Sequence, residues 1–491
     1  MLLPLLFSLA YSRKADGAYG EQHGCLPMET KLPYKWPFAL DILKRQYDVL
    51  PSQRLLAFQS RYFDRIGPNM KVMLFGQVGY MTTDPKNIES ILSTHFEDWG
   101  LGSRRGGLFP LLGEGIFTQD GRPWKHSREL LRRQFVRIQY QNPKVFDQHI
   151  NELINGLSAS GDGVVDLQPY LFRFTLATTT DLIFGEPVGR LGDDLQDTFS
   201  DNFDYASSIS AIRLRLADFH WLYKPRKFKD ACAVVKTYAS HFVSQALETE
   251  KRHGPDSNGG HAFILDLYKD LNNPALVRDQ LVNVLIAGRD TTACLMSWTI
   301  YLLVRHPAAL ERLRRDIAAV VPETDDLTRA HIAKLSYLKC VLNETLRLYP
   351  QLPVNIRVAT KTTLLPSGGG PSGTSPVLIR RGTGVGYSVY HMHRMTSLYG
   401  SDAHEFNPER WENTGLEKKV GWGFMPFHGG PRICLGKDFA LMEASYGIIK
   451  ILQTFPNLRL PPGIQKEATG QERQNLTIVV ASADGCKVLL R

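Results

Sequence analysis

FHGGPRICLG, residues 427–436, sets Cys434 in a loop of three glycines, a proline and an arginine. A zinc site would need a second cysteine or a histidine at ligand spacing. The six cysteines (Cys25, Cys232, Cys294, Cys340, Cys434 and Cys486) are scattered, with no CxxC or CxxH pair, so neither a zinc module nor a disulfide framework is indicated. The run that follows, KDFALMEASYGIIKILQTF, reads as a helix starting near Gly436. Its unpaired N–H groups would then point toward the sulfur and depress the thiol pKa. Gly429, Gly430 and Gly436 let the backbone turn tightly and approach a large flat object without Cβ clashes. Arg432 supplies a cation for a carboxylate. A flat cofactor that carries carboxylates and a metal able to take a thiolate is haem. Alone, the stretch also fits an inert buried cysteine.

The rest of the chain bounds the reading. Its 491 residues are 43% hydrophobic and 22% charged, ordinary for a globular protein, and the net charge is +9. No basic stripe with interleaved aromatics marks a nucleic-acid partner, so none is expected. The opening MLLPLLFSLAY has only about ten apolar residues where a spanning helix needs roughly twenty, so residues 1–24 are read as a segment able to make a short membrane contact. Residues 25–491 read as one large domain, mainly α with a small β portion. VMLFGQVGYMTT suggests strands. From about 124 to 350 the pattern is helical, with VRDQLVNVLIAGRDTTACLMSWTIYLLVRHP as the longest candidate, apolar on all sides and stopped at Pro307. KTTLLPSGGGPSGTSPVLI reads as two strands around a flexible turn, since SGGGPSG lacks the ending of a phosphate-binding loop.

Three further motifs carry chemistry. Glu344 and Arg347, at i and i+3, share a helical face. Arg410, in FNPERW, can reach the same carboxylate from another segment, and a carboxylate shared by two buried arginines makes a structural latch. In AGRDTT (287–292), polar residues interrupt an apolar helix, an expensive placement unless they are satisfied or used, and Asp-Thr-Thr also fits an internal cap or turn. Gly288 would leave room for a small ligand, a threonine hydroxyl can bond water or oxygen, and Asp290 can relay protons.

Phe427-x-x-Gly430-x-Arg432-x-Cys434-x-Gly436, with ExxR at Glu344–Arg347, the FNPERW segment and AGRDTT in that family's order, resembles the cytochrome P450 family. The resemblance covers the chain from about residue 25 and implies the cytochrome P450 fold, with haem b held by the axial thiolate of Cys434. It also implies that Asp290 and Thr291 form the acid–alcohol pair of oxygen activation. Trp124 and Arg128 match its WxxxR and Arg357 its arginine beyond ExxR, both as partners of the haem carboxylates, with Arg132 and Arg133 as alternatives. His126, His391 and His393 suggest no metal site, since no third ligand falls at the right spacing.

FEDWGLGSRRGGLFPLLGEGIFTQDGRPWKHSR, GTGVGYSVYHMHR and FMPFHGGPRICLG are similar to the fungal group that oxidises n-alkanes and fatty acids. That likeness implies an apolar, long-chain substrate, electrons from NADPH–cytochrome P450 reductase, and the cytosolic face of the endoplasmic reticulum membrane. FPLLGEGIF and AIRLRLADFHWLY are expected to flank the pocket; Arg213 and Arg215 read as a solvated helix face, with a hold on a terminal carboxylate as the alternative. Lys437 and the basic excess suit an acidic reductase surface. Tailoring of a polyketide or other lipid-like intermediate in fungal secondary metabolism, a reductase-independent rearrangement, and a haem-binding sensor or carrier are the alternatives.

Overall fold

Asn273 opens the longest helix by accepting the N–H groups of Ala275 (2.9 Å) and Leu276 (3.2 Å) on its side-chain oxygen. Pro274 fills the first turn, where no N–H is required. The helix runs Pro274–Arg305, and Pro307 begins the next one. The computed structural model describes residues 14–74, 76–138, 143–161, 163–187, 193–253, 261–321 and 326–491. The opening MLLPLLFSLAY, read above as a membrane contact, lies outside the described residues. Among them, no helix is long and apolar enough to cross a membrane.

The helices that position the site are α1 (Arg104–Leu112), α2 (Gly121–Ile138), α3 (Leu167–Phe184), α4 (Asp193–Arg215), α5 (Arg226–His253), α6 (Pro274–Arg305), α7 (Ser336–Leu348) and α8 (Lys437–Thr454). The first half of α6, Val277–Ile286, packs with Phe203 of α4 and Phe228 and Phe242 of α5. Its second half, Ala293–Val304, packs with Val341 and Leu346 of α7 and Ile448 and Leu452 of α8. An all-round apolar helix is stable only if every face is covered, and each buried Leu, Ile or Val contributes about 1.5–3 kcal/mol. α6 therefore joins the two largest cores.

The described strands are β1 (Asn69–Leu74), β2 (Gln77–Thr82), β3 (Trp99–Gly100), β4 (Val164–Asp166), β5 (Val354–Ala359), β6 (Thr363–Gly369), β7 (Ser375–Ile379), β8 (Gly384–Ser388), β9 (Gln474–Leu476), β10 (Val480–Ser482) and β11 (Lys487–Leu489). The main sheet has the order β1-β2-β8-β5-β3, and β6-β7, β10-β9 and β11-β4 are separate pairs. The β1–β2 and β6–β7 hairpins match the runs read as strands. The stretch before and around VMLFGQVGYMTT, where the sequence suggests only strands, also holds helices Leu40–Val49 and Leu55–Ile66. They are too short, and too close to prolines, for their period to stand out. On β5, residues two apart share a face, so Asn355 and Arg357 point the same way, and Asn355 stands opposite Tyr387 of β8.

Candidate active site

The Cys434 loop is folded by its own backbone. The N–H of Cys434 donates to the Phe427 carbonyl (3.0 Å) and that of Ile433 to Gly430 (3.0 Å). His428 and Gly430 take positive φ (66° and 64°), and Gly436 caps α8. Cys434, Phe427, Arg432 and Gly436 line one cavity together with Trp124, Arg128, Thr291 and Arg357. Cys434 counts as exposed, but its surface faces this cavity while protein crowds the sulfur. Burial raises the thiol pKa, against the lowering by the Gly436 N–H, Arg128 and Lys437. The helix terminus therefore acts in the direction expected from sequence, but burial outweighs it.

The glycines need a correction. Gly430 does not face the cavity: a Cβ there would run into the Leu92 carbonyl, and one on Gly429 into the Trp422 ring. Their bareness admits protein, not cofactor. Gly430→Ala would meet both the left-handed φ and a backbone atom that cannot move aside. We expect a loss of about 2–4 kcal/mol, read from denaturant unfolding.

Four guanidiniums converge on the cavity wall: Arg104 of α1, Arg128 of α2, Arg357 of β5 and Arg432. Arg128 also donates to the Ile433 carbonyl (2.9 Å), and Arg432 lies over the Trp124 ring, 4.2 Å from its centre. Among the described residues the only carboxylate paired with any of them is Asp120, 2.7 Å from Arg432. Burial, then Arg357 nearby, pulls Arg104 down to about 10 and Arg432 to about 9. Such an undercompensated cluster suits a group with two carboxylates, so the residues present fit haem. Arg132 and Arg133 drop out: the first lies beside Glu129 (3.9 Å), and the second binds Asp270 (2.7 Å), both at the surface. Arg104 and His428, which also line the cavity, were not legible as site residues. Nothing local to SRRGG or FHGG signals a partner on β5.

Thr291 and Thr292 of α6 line the cavity, whereas Asp290 does not. Asp290 is buried against Arg289 (3.2 Å), which also pairs with the exposed Asp204 of α4. Burial raises the Asp290 pKa to about 6 against the pull of Arg289. The Thr291 hydroxyl donates to the Ala287 carbonyl (2.7 Å). Gly288 lines the cavity as well, and a Cβ there would stand 2.7 Å from the Thr179 hydroxyl of α3.

Glu344, fully buried on α7, accepts from Arg347 Nε and Nη2 (both 2.8 Å) and Arg410 Nε (2.9 Å). It also accepts from Trp411 Nε1 and the Asn407 N–H (both 2.9 Å). Trp411 stood in the quoted FNPERW without being singled out.

The arginines at the end of α4 are spent within the protein. Arg213 spends its donors on the carbonyls of Gly106, Gly107, His220 and Tyr223 and on the His220 ring. Arg215 binds the Leu476 carbonyl. Neither lines the cavity, nor does any residue of AIRLRLADFHWLY, whereas FPLLGEGIF contributes Leu112, Ile116 and Phe117. His391 and His393 are buried on backbone carbonyls of Leu56 and Arg347, and His126 is exposed.

The family model for cytochrome P450 matches residues 31–479. A cytochrome P450 of Arthroderma benhamiae is 42% identical over 506 aligned positions, covering 100% of this chain and 98% of the relative. Cytochrome P450 52A13 of Debaryomyces hansenii is 38% identical over 93% of this chain and 91% of its own length. Cytochrome P450 monooxygenase g430 of a Fusarium species is 37% identical over 92% and 82%. The chain belongs to the cytochrome P450 family. It is a haem-thiolate monooxygenase, an oxidoreductase that incorporates one atom of dioxygen and needs a redox partner and an apolar substrate.

Proposed function

We propose that this protein hydroxylates a long aliphatic chain, a fatty acid or alkane, at or near its end. The observation that carries the reading is the cavity wall beyond Cys434, built from Leu108, Leu112, Phe117, Leu182, Val284 and Ile478, which suits an extended acyl chain. The likeness to the fungal n-alkane and fatty-acid group points the same way.

Cys434 holds the haem iron, and haem so bound supplies the dioxygen chemistry. Arg432, Arg128, Trp124 and Arg357 hold its carboxylates, Phe427 and Gly436 shape the loop against it, and Glu344, Arg347 and Arg410 brace the wall behind. The net reaction takes substrate, dioxygen, two electrons and two protons to alcohol and water. NADPH is the electron source through a separate reductase, for which the exposed Lys437 beside the cysteine loop offers a docking charge. Asp204 and Arg289 link Asp290 to solvent. Asp290 passes its proton toward Thr291, whose oxygen retains lone pairs to accept it. Exposed Trp36, Phe38 and Tyr47, and Trp221 and Leu222 between α4 and α5, suit the membrane interface of the endoplasmic reticulum.

Two experiments test this. With a fungal reductase, NADPH and a panel of fatty acids and alkanes, terminal or near-terminal alcohols are expected. NADPH consumption without oxygenated lipid, from protein with an intact thiolate–haem spectrum, would reject the lipid reading in favour of a specialised metabolite. Asp290→Asn should lower product formation by about a hundredfold while NADPH is still consumed. A proton donor titrating at about 6 is loaded below that pH and emptied above it. Wild-type coupling should therefore decline as the pH rises past about 6, and the variant should lose that limb.

A further inference from the structure

We propose that His428 is a positioning residue for the cofactor's carboxylates, donating Nδ1–H into the cavity while Asn355 and Tyr387 hold the ring in that tautomer. The inference rests on the haem reading above.

His428 stands at φ 66°, a region that disfavours a residue with a Cβ, directly before two glycines that could occupy it freely. Such strain costs about 1–3 kcal/mol and persists where the surroundings enforce it. The surroundings here are specific. Nε2 lies 2.7 Å from the Tyr387 hydroxyl, 3.4 Å from Asn355 Nδ2 and 3.5 Å from Arg357 Nη2. The Asn355 amide has one orientation, because its Oδ1 accepts from Arg104 (2.8 Å), Arg357 (3.1 Å) and the Ile356 N–H (2.9 Å). Its Nδ2 and the guanidinium can only donate. Burial keeps Tyr387 protonated, so its hydroxyl also has a proton to give. Nε2 is therefore an acceptor, and the ring proton sits on Nδ1.

No residue bonds Nδ1 among the described residues, yet it is not sealed inside the protein, and His428 is part of the cavity wall. Burial, with Arg357, Arg104 and Arg432 around it, pushes the imidazole pKa well below its ordinary value. The ring is thus a neutral donor among cations. It adds a hydrogen bond toward an anion without a further repelling charge.

Haem transfer from the holoprotein to excess apomyoglobin measures the hold directly, without turnover. His428→Gly relieves the backbone and removes the donor, so it should fold at least as well and lose haem about tenfold faster. His428→Asn tolerates the same φ and restores an N–H, and most of the retention should return. Asn355→Asp replaces the obligate donor Nδ2 with an acceptor and draws the ring proton to Nε2: loss should quicken several-fold, and the ring signals of nitrogen-15 histidine-labelled protein should move away from a single Nδ1–H form. Wild-type loss rates in His428→Gly, or an Nε2–H ring in the wild-type protein, would overturn the proposal. A wild-type protein without the thiolate-type ferrous carbon monoxide spectrum would instead overturn the haem reading, and this inference with it.

Discussion

Cys434→Ser is expected to abolish the thiolate-type carbon monoxide spectrum and to lower turnover by at least about a thousandfold, roughly 4 kcal/mol of transition-state stabilisation. Serine keeps the size of the side chain, and the N–H of residue 434 still donates to the Phe427 carbonyl. The fold around the loop should therefore change little. What is lost is the ligand that pushes electron density onto iron, because a hydroxyl is far too weak an acid to take the thiol's place. Cys25→Ser is the matched control. Cys25 lies outside the cavity, so spectrum and turnover should stay at wild-type values. A serine variant at 434 that retained both would remove this residue from the site.

Glu344→Ala is expected to be the most damaging change to stability. The carboxylate has no exposure to water and gathers two guanidiniums, an indole N–H and a backbone N–H. Removing it leaves buried cations without a counter-charge, a loss of about 3–5 kcal/mol out of the 5–15 kcal/mol that a folded protein holds in all. Arg347 also ties α7 to the carbonyls of His393, Ala403 and Glu405, so the loosened arginine would free that segment too. Poor expression of holoprotein and a lower urea midpoint are the measurements. Pairing Glu344→Leu with Arg347→Leu should cost clearly less than the sum of the single changes, because the two groups share one network. The exposed Lys44–Asp48 pair, removed the same way, should cost at most about 1 kcal/mol. If Glu344→Ala unfolded within that margin of the wild-type protein, the latch would carry no structural weight.

Much of the site was legible because its parts are short-range. The cysteine loop, the Glu344–Arg347 spacing and AGRDTT each declare their chemistry within ten residues or fewer, since helical period and loop chemistry act over that distance. The same local reading misjudged what the glycines were for. That Gly430 faces the Leu92 carbonyl instead of the cavity depends on a segment far away in the chain. Arg213 failed for a related reason: a guanidinium at a helix end looks free until the loop at Gly106 folds against it.

By itself, then, the sequence determined the class of cofactor, the thiolate ligand, the central buried helix and a mainly helical chain with paired strands. The helix and the strands follow from residue type and spacing along a continuous segment; the cofactor and its ligand follow from the family resemblance that the motifs carry together. Only the tertiary structure decided which cations share the cavity, that Asp290 meets Arg289 and Asp204 away from it, and that His428 is locked by β5 and β8. Coulomb and hydrogen-bond partners are chosen by distance in space, and in this chain those distances are set by the packing of α1, α2, β5 and the cysteine loop around a single cavity.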